Sequence, residues 1–485
     1  MAAGKKKKNL ITLLGMTAVL ALLVVGYLAA SSWKKNEEEN GETEEPDIVL
    51  LSLPKEEIAS IEVKSKEFPF TILAGESGWE FAGDAEFDVS AGTADAMREK
   101  LAQFTAETAV LADAEDLAEY GLEEPEFTVT ATLKDGSSRA VRLGDPAGAG
   151  AGYYACTDGS RDVYVVSEEV RGAFAGGQDA LLEKAAVPEF TAEKATGLKL
   201  SGDAFPPFTV AKNTGEQAEL MGIYQYSLLL TGVYPVPVTV DFTAFSELMK
   251  KYVGMSLGEL VSYHEQDKQQ YGLDRPETAL TVTYTDAESS EDREFTVHFG
   301  GMNETQTHRY VCLEGSGQTF MMEQEKAEEL LAADTFALVD RYTQMVNITL
   351  IGGMNIAYGD TVRRVDITHN SETGETGQEV VTDYITVDGK SLNEEEDDEF
   401  RTLYQEIIAL KLTRELTEED VIGEEPVLVL EFLDKDGAGV LRSVRYLKLE
   451  GIGQELAVEV DGVCLFAADA AAVEELTGLL KDYRP

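Results

Sequence analysis

A short element, Tyr-Gly-Leu-x-x-Pro, recurs along this chain at a nearly constant interval. It occupies residues 120–125, returns at 271–276, and has a blurred third copy, Val-Ile-Gly-Glu-Glu-Pro, at 421–426. The prolines at 125, 276 and 426 are therefore 151 and 150 residues apart. A fixed period indicates tandem structural units, because each copy of the sequence has to reproduce the same local fold. The repeat thus limits the chain to about three similar domains.

The residues after each proline predict strands. In the first copy Phe127, Val129 and Ala131 alternate with threonines, which is the pattern of a strand with one buried face. A turn and a second strand follow, and the same order returns after the other two prolines. A helix is then expected to close each copy. These closing helices are predicted to begin near Ser167, Glu323 and Ala468.

A second set of elements precedes each Tyr-Gly-Leu element. In the first copy, strands are predicted at 58–63 and 70–73, and a helix follows with an apolar stripe. The predicted stripes are Met97, Leu101 and Phe104, then Phe245, Leu248, Met249 and Tyr252, then Phe400, Leu403, Ile407 and Leu410. Each unit is therefore expected to be α+β, an antiparallel strand meander with packing helices. The predicted repeat domains are 47–190, 191–342 and a degenerate 343–485.

The N-terminal segment predicts a membrane anchor. Residues 10–30 carry no charge, and 21 residues at about 1.5 Å each give about 31 Å, enough to cross a hydrocarbon core. Four lysines precede the span and two follow it, which favours a cytoplasmic N-terminus. We therefore expect a basic cytoplasmic tail at 1–9, a transmembrane helix at 10–30 and an acidic linker at 31–46.

This topology predicts a single-pass protein of the cell membrane with the bulk of the chain outside the cytoplasm. A cleavable signal peptide is the alternative, since Leu28-Ala29-Ala30 is an acceptable cleavage site. The sequence leaves open whether the segment is cleaved. The apolar run is longer than the usual signal-peptide core, which favours the uncleaved anchor.

The charge is divided unevenly along the chain. The net charge is 40 − 90 = −50, and the six basic residues among the first 35 leave −56 for the remainder. Such an acidic body opposes binding to phosphate backbones, so a nucleic-acid partner is excluded. With only three cysteines, the chain also has no disulfide framework to stabilise it.

Several local sequences resemble a known family. They are an early strand at 56–63, a Gly-Trp-Glu step at 78–80, the element at 116–125, and a Gly-Tyr-Tyr strand at 152–154. With these features the chain resembles the bacterial domain-of-unknown-function family 4340, well in the first copy, fairly in the second and weakly in the third. The resemblance implies a membrane-anchored extracytoplasmic protein. It also implies ABC-type transporters and gliding-motility-like auxiliary components as the partner class, and it carries over no catalytic or ligand-binding residue.

The Tyr-Gly-Leu element itself is expected to be structural. Gly121 can take the left-handed conformation that ends a helical turn, Leu122 can cover that turn, and Pro125 prevents its continuation. Cys156 and Cys312 are expected to be small buried side chains on matching strands. Val460 is expected in their place in the third copy.

Several catalytic motifs occur only in incomplete form in the sequence. Ser256 stands in the Gly-x-Ser-x-Gly spelling of a nucleophile elbow but follows a predicted helix instead of a strand. Ser52 and Lys55 spell Ser-x-x-Lys without the companion motifs of that class. The glycines of 144–152 lack the Lys-Ser/Thr of a phosphate loop and are expected to form a flexible connection.

Metal-site patterns are equally incomplete. His264 begins a His-Glu-x-x sequence that ends in lysine, and His298 and His308 lack a third ligand. The acidic run 394–399 suits a helix N-terminus, although loose binding of divalent cations stays open. We accordingly assign no catalytic, cofactor-binding or metal residue and no cofactor.

Two functions remain. The first is a non-catalytic extracytoplasmic binding or assembly protein, an accessory to an ABC-type transporter or envelope complex. The alternative is an extracytoplasmic hydrolase that uses a carboxylate pair, as glycosidases do. The 90 acidic residues make such a pair impossible to choose from the sequence.

Overall fold

The computed structural model describes residues 48–214, 228–373 and 379–485. These residues divide into two compact units, which comprise residues up to 184 and from 185 to 485. The predicted tail, membrane helix and acidic linker at 1–9, 10–30 and 31–46 lie outside the described residues. Within the three described ranges, no helix combines the length and the apolarity of a membrane span.

The first unit contains one large sheet. The strands of this unit are β1 (Ile48–Ser52), β2 (Ile58–Lys64), β3 (Phe70–Ala74), β4 (Trp79–Phe81), β5 (Gln103–Ala106), β6 (Thr108–Leu111), β7 (Phe127–Leu133), β8 (Ser138–Pro146), β9 (Tyr153–Thr157) and β10 (Val163–Val166). Its helices are α1 (Ala91–Ala102), α2 (Glu168–Ala175) and α3 (Gly177–Leu181). The sheet has the order β4-β3-β2-β7-β8-β9-β10-β6, and β1 pairs separately with β5.

The second unit contains two sheets of nine strands. The first of them consists of β11 (Ala195–Ser201), β12 (Phe208–Lys212), β13 (Leu228–Thr231), β14 (Val238–Thr239), β15 (Glu259–Ser262), β16 (Thr278–Thr285), β17 (Asp292–Met302), β18 (His308–Leu313) and β19 (Thr319–Glu323). Helices α4 (Phe242–Met249), α5 (Gln324–Leu331) and α6 (Thr335–Leu338) accompany it. The strand order is β14-β13-β12-β11-β16-β17-β18-β19-β15.

The last sheet repeats this arrangement. It consists of β20 (Gly353–Tyr358), β21 (Thr361–Thr373), β22 (Glu379–Val387), β23 (Lys390–Ser391), β24 (Leu412–Glu415), β25 (Ile422–Leu433), β26 (Val440–Leu449), β27 (Ile452–Val460) and β28 (Val463–Asp469). Its helices are α7 (Glu394–Ile408) and α8 (Ala470–Asp482). The strand order is β23-β22-β21-β20-β25-β26-β27-β28-β24.

All three large sheets share one topology. In each, the first strand lies beside the strand that follows the Tyr-Gly-Leu position, as β2 does with β7, β11 with β16 and β20 with β25. In each, a short strand that comes between the first helix and the Tyr-Gly-Leu position lies at the far edge, as β6, β15 and β24 do. The expected α+β class is confirmed, whereas the domain boundaries at 190/191 and 342/343 stay predictions.

Most residues of the predicted apolar stripes lie on helices, but the last residue of each stripe lies beyond its helix: Phe104 after α1, Tyr252 after α4 and Leu410 after α7. Ala94, Met97 and Leu101 are the buried residues of α1. Phe104, predicted on the same stripe, lies instead in β5, where it is fully buried. The helix ends before it because Gln103 and Phe104 pair with Ser52 and Leu51 of β1.

The Tyr-Gly-Leu element forms the expected turn in the first two copies. Gly121 and Gly272 have φ of 67° and 69°, the left-handed conformation that glycine adopts without steric cost. The Leu122 N–H donates to the Leu117 carbonyl at 3.0 Å, and the Leu273 N–H donates to the Lys268 carbonyl at 2.9 Å. Both leucines are buried, so the turn covers part of the sheet.

The third copy departs from this pattern. Its counterpart of the turn is extended, because β25 already begins at Ile422. The expectation that Val460 takes the place of the cysteines is wrong by one residue. In the register of neighbouring strands, Cys156 lies opposite Arg142 and Cys312 lies opposite His298. The equivalent positions of the third copy are Glu459 and Arg445. A buried thiol is thus replaced by a carboxylate with its own ion pair, Arg445 Nη1 to Glu459 Oε1 at 2.7 Å.

Candidate functional site

A cavity of about 420 Å³ lies between the two sheets of the second unit. Its lining comes from both sheets and from the segment that connects them. The lining residues are Asn213, Leu229, Val236, Pro237, Val238, Thr239, Val339, Asp340, Tyr342, Thr343, Leu412, Arg442, Val458, Val460, Asp461, Val463, Leu465 and Phe466. Most are apolar, and the volume lies in the range of small-molecule sites.

The connecting segment is held by hydrogen bonds to both sheets. The Asp340 N–H donates to the Thr239 carbonyl at 2.9 Å, which extends the first of these sheets beyond β14. The Thr343 N–H donates to the Leu410 carbonyl at 2.9 Å, just before β24. The cavity wall is therefore built on main-chain hydrogen bonds and is largely formed in advance of any ligand.

A buried network supports the far side of the cavity. The Thr343 hydroxyl hydrogen-bonds to the Tyr446 hydroxyl at 2.8 Å, and Gln344 Nε2 donates to the Ile407 carbonyl at 2.6 Å. Burial raises the pKa of the Tyr446 phenol. The phenol is neutral at physiological pH and acts here as a fixed structural group.

Asn213 is a buried polar residue of the cavity lining. Its side chain is 7% exposed, and its Oδ1 atom has no hydrogen-bond partner among the described residues. A buried amide oxygen without a partner costs roughly 1–3 kcal/mol. This oxygen has essentially no accessible surface, so a ligand in the cavity does not contact it in this arrangement.

Asp340 is the second acceptor in the wall. It is half-buried, and one of its carboxylate oxygens accepts the Tyr342 N–H at 3.1 Å. Burial is the main cause that raises the pKa of this carboxyl, and the nearby carboxylate of Asp241 raises it further. In the part of the chain that the structure describes, Asp340 forms no ion pair with a lysine, arginine or histidine.

The opposite wall carries a charge pair. Arg442 Nε lies 3.5 Å from Asp461 Oδ2, and Asp461 Oδ1 accepts the Ser443 N–H at 2.8 Å. Asp461 sits at the turn between β27 and β28, with φ of 51°. The Arg442 charge is thus compensated locally, so the wall as a whole keeps one uncompensated carboxylate, that of Asp340.

The sequence motifs of catalysis lie elsewhere. Ser256 accepts the Gly258 N–H at 3.1 Å in a loop after α4, so the strand and helix of a nucleophile elbow do not flank it. Lys55 pairs with Glu99 at 2.5 Å and not with Ser52. The residues 144–152, expected to be a flexible connection, begin inside β8, where Gly144 packs against the Tyr120 carbonyl.

The histidines are dispersed over the fold. His298 Nε2 lies 3.9 Å from Glu314, while His308 Nδ1 hydrogen-bonds to the Thr307 hydroxyl at 2.9 Å. His369 is held by the Asp383 carboxylate and the Ile351 carbonyl, each at 2.7 Å. Across residues 48–214, 228–373 and 379–485, no group of three His, Cys, Asp or Glu side chains has the geometry of a metal site.

The acidic run 394–399 forms the start of α7, as its sequence indicates. Asn393 accepts the N–H groups of Glu395 and Glu396, and Glu396 in turn accepts the Asn393 N–H, which is a capping box. The negative charges there interact favourably with the helix dipole. The acids accordingly have a structural explanation.

Reasoning from sequence missed the cavity altogether. Asn213 and Asp340 stand at the ends of elements, where polar residues are ordinary, and no local pattern distinguishes them. Asp340 stands at the end of the predicted second domain, 191–342, so its position next to a junction of repeats is the one signal that the sequence offered.

Part of the chain matches a known family model. Residues 79–251 match the family model described as domain of unknown function DUF4340. The chain resembles the DUF4340 family. This confirms the resemblance seen in the sequence. The DUF4340 match runs from β4 to the end of the α4 region, and so includes Asn213 and the β13–β14 side of the cavity but not the last sheet. No curated protein matches the chain.

Proposed function

We propose that the chain is a membrane-anchored extracytoplasmic binding protein whose ligand site is the cavity of the second unit. The observation that carries this proposal is a mostly apolar cavity of about 420 Å³ whose wall bears only a few polar side chains, among them the Asp340 carboxylate. A pre-formed apolar space with few convergent polar groups is typical of small-molecule sites. The sequence supports the location of the protein through residues 1–35.

Filling the cavity tests the proposal directly. Leu229→Trp places a larger side chain in the wall, whereas Val362→Trp changes a side chain that is 72% exposed and outside the lining. We expect compounds from a small-molecule library to raise the melting temperature of the full-length chain and of Val362→Trp, but not of Leu229→Trp. Equal responses from all three proteins would remove the cavity as the ligand site.

Labelling of introduced cysteines tests the topology. Cys156 and Cys312 are buried and Cys464 is half-buried, so the native background of labelling is low. Lys134→Cys, in an exposed turn, is expected to react with a membrane-impermeant maleimide on intact cells, and Gly4→Cys only after permeabilisation. A mature N-terminus after Ala30 would show instead that the segment is a cleaved signal peptide.

We further propose that the protein is an accessory to an ABC-type transporter or an envelope complex. The resemblance to the DUF4340 family and the predicted anchor support this partner class. Cross-linking in intact membranes, followed by purification through the chain, is expected to recover a transporter or envelope component. Recovery of the same proteins with a chain that lacks residues 48–485 would contradict a role for the folded part.

The alternative, a carboxylate-pair hydrolase, is favoured by one observation. Asp340 and Asp461 line the same cavity in different environments, the first without a cationic partner and the second paired with Arg442. In such enzymes the two carboxyl groups have different environments, which give one the role of acid and the other the role of base. Hydrolysis of aryl glycosides that is abolished by Asp340→Asn and by Asp461→Asn would favour the enzyme. Absence of turnover in the intact chain would exclude this activity on these substrates.

A further inference from the structure

We propose that residues 232–237, the segment between β13 and β14, form a gate over the cavity of the second unit, and that a hydrogen bond between Tyr234 and Glu415 holds this gate shut. We call residues 232–237 the strap. This inference rests on the proposed binding function and specifies how a ligand reaches the site. It follows from the position of the strap, from its main chain and from the contacts of Tyr234.

The strap is part of the cavity wall. Val236 and Pro237 line the cavity. Along the strap, Gly232, Pro235 and Pro237 are exposed, whereas the residues between them are half-buried. The strap therefore lies at the surface of the unit, with solvent on one side and the cavity on the other.

The main chain of the strap is not part of the sheet. Among the described residues, no main-chain group of 232–237 forms a hydrogen bond with another main-chain group. Pro235 and Pro237 have no N–H to donate. The strands on either side remain joined, because Leu230 pairs with Val238. A segment without main-chain hydrogen bonds opens at a low free-energy cost, so the strap can move while the sheet stays intact.

One end of the strap suits a hinge. Gly232 has φ of 94°, a conformation that glycine adopts without the steric cost of a side chain. Its position directly after β13 places this freedom where the strap leaves the sheet. Rotation at Gly232 therefore moves the strap as a whole.

Tyr234 holds the strap against the last sheet. Its hydroxyl donates to Glu415 Oε1 at 2.6 Å, and its ring lies edge-on against that of Phe466, with centroids 5.2 Å apart. Glu415 and Phe466 are partners in the pairing of β24 with β28, and Phe466 lines the cavity. Burial raises the pKa of the Tyr234 phenol, and the hydrogen bond to Glu415 raises it further. The hydroxyl thus keeps the proton that it donates.

This contact can be exchanged for water. Glu415 is exposed, so water replaces Tyr234 as its partner when the strap leaves, and no buried polar group loses its hydrogen bond. Phe466 keeps a second contact, since its ring stacks on Phe336 with centroids 5.7 Å apart. The moving part is therefore the strap, and the last sheet provides the fixed side of the gate.

Labelling of a thiol inside the cavity tests the gate. Val458→Cys places a cysteine at a lining position that is 2% exposed and pairs with Phe466. Its rate of reaction with N-ethylmaleimide is measured by mass spectrometry in the full-length chain. We expect Tyr234→Phe, which removes the hydroxyl and keeps the ring, to raise this rate at least about fivefold. Glu415→Ala should have the same effect, and the two changes together should add little to either one.

Two controls accompany this measurement. Native Cys312 is 2% exposed and lies outside the cavity lining, so its labelling in the same samples reports general loosening of the unit. Glu418→Ala removes an exposed carboxylate near Glu415 and is expected to leave the rate unchanged.

The outcomes separate the gate from the proposed function. Equal rates with and without the Tyr234 hydroxyl, or an increase that Cys312 shares, would overturn the gate while the cavity survives as a ligand site. A faster reaction confined to the cavity thiol supports the gate. If no library compound then binds to a chain that shows this behaviour, the proposed binding function fails and the gate remains.

Discussion

The aromatic ring of Tyr120 lies edge-on against the ring of Tyr154, with centroids 5.0 Å apart. The second copy repeats this pair with Tyr271 and Tyr310, 4.5 Å apart. In the third copy the register places Ala457 where the second tyrosine would be, and the turn itself is replaced by β25. The pair and the turn are thus lost together, which indicates that the tyrosines fix the turn to the sheet.

A double-mutant cycle measures this coupling. We expect Tyr120→Ala and Tyr154→Ala together to destabilise the turn by less than the sum of the single changes, with a coupling of about 0.5–1.5 kcal/mol. The measurement is hydrogen exchange of the amides at 117–122 in the intact chain, since exchange reports local opening. Strict additivity would show that the rings do not act as a pair.

Gly144 is predicted to be irreplaceable because main chain lies where its Cβ would be. An added Cβ would lie 2.3 Å from the Tyr120 carbonyl oxygen, so Gly144→Ala forces the turn away from β8. We expect a loss of about 2–3 kcal/mol in the stability of the first unit. Gly148→Ala is the matched control, because nothing lies within 4 Å of its added Cβ. The measurement is again hydrogen exchange of the amides at 117–122. Similar exchange rates in Gly144→Ala and Gly148→Ala would contradict the close contact.

Asp340 is predicted to make stability depend on pH. Burial raises the pKa of its carboxyl in the folded chain above the unfolded value, so the folded state holds its proton to higher pH. Stability from this group is therefore complete at pH below about 4 and falls as pH rises through the folded pKa. Asp340→Asn should raise the melting temperature at pH 7 and leave it unchanged at pH 3. A lower melting temperature at pH 7 would contradict this account.

The three cysteines are predicted to be free but unreactive thiols. Burial raises the pKa of Cys156 and Cys312, and it raises the pKa of Cys464 to about 11. Since the thiolate is the reactive form, Ellman's reagent at pH 8 should react at least about 100-fold more slowly with the native chain than with the chain in denaturant. The denatured chain should release three equivalents. Fewer equivalents would reveal a disulfide.

Asp383 of β22 is predicted to contribute more to stability than an exposed carboxylate of the same sheet. Its side chain is 7% exposed and bonds both His369 at 2.7 Å and Arg401 at 3.4 Å. Asp383→Asn should cost about 1.5 kcal/mol, because it weakens the hydrogen bond of the carboxylate to His369, while Arg401 keeps its ion pair with Asp397 at 2.7 Å. Asp366→Asn, whose ion pair with Arg364 is exposed, should cost less than about 0.5 kcal/mol. Hydrogen exchange of β21 and β22 distinguishes the two results.

Much of the fold could be predicted from the sequence, because it depends on local patterns. The alternation at Phe127, Val129 and Ala131 predicted β7, and the glycine at 121 predicted a left-handed turn. The same reasoning failed at Phe104, because the end of α1 depends on pairing with β1, which lies about 50 residues earlier.

The sequence by itself determined the period, the α+β class and the resemblance to the DUF4340 family, since each is written in spacing along the chain. The tertiary structure decided where the two sheets of the second unit leave a cavity and which side chains meet in its wall. Asn213 and Asp340 are 127 residues apart in the sequence and carry no shared pattern. Their common place depends on the folding of two repeats onto each other, which local periodicity does not encode.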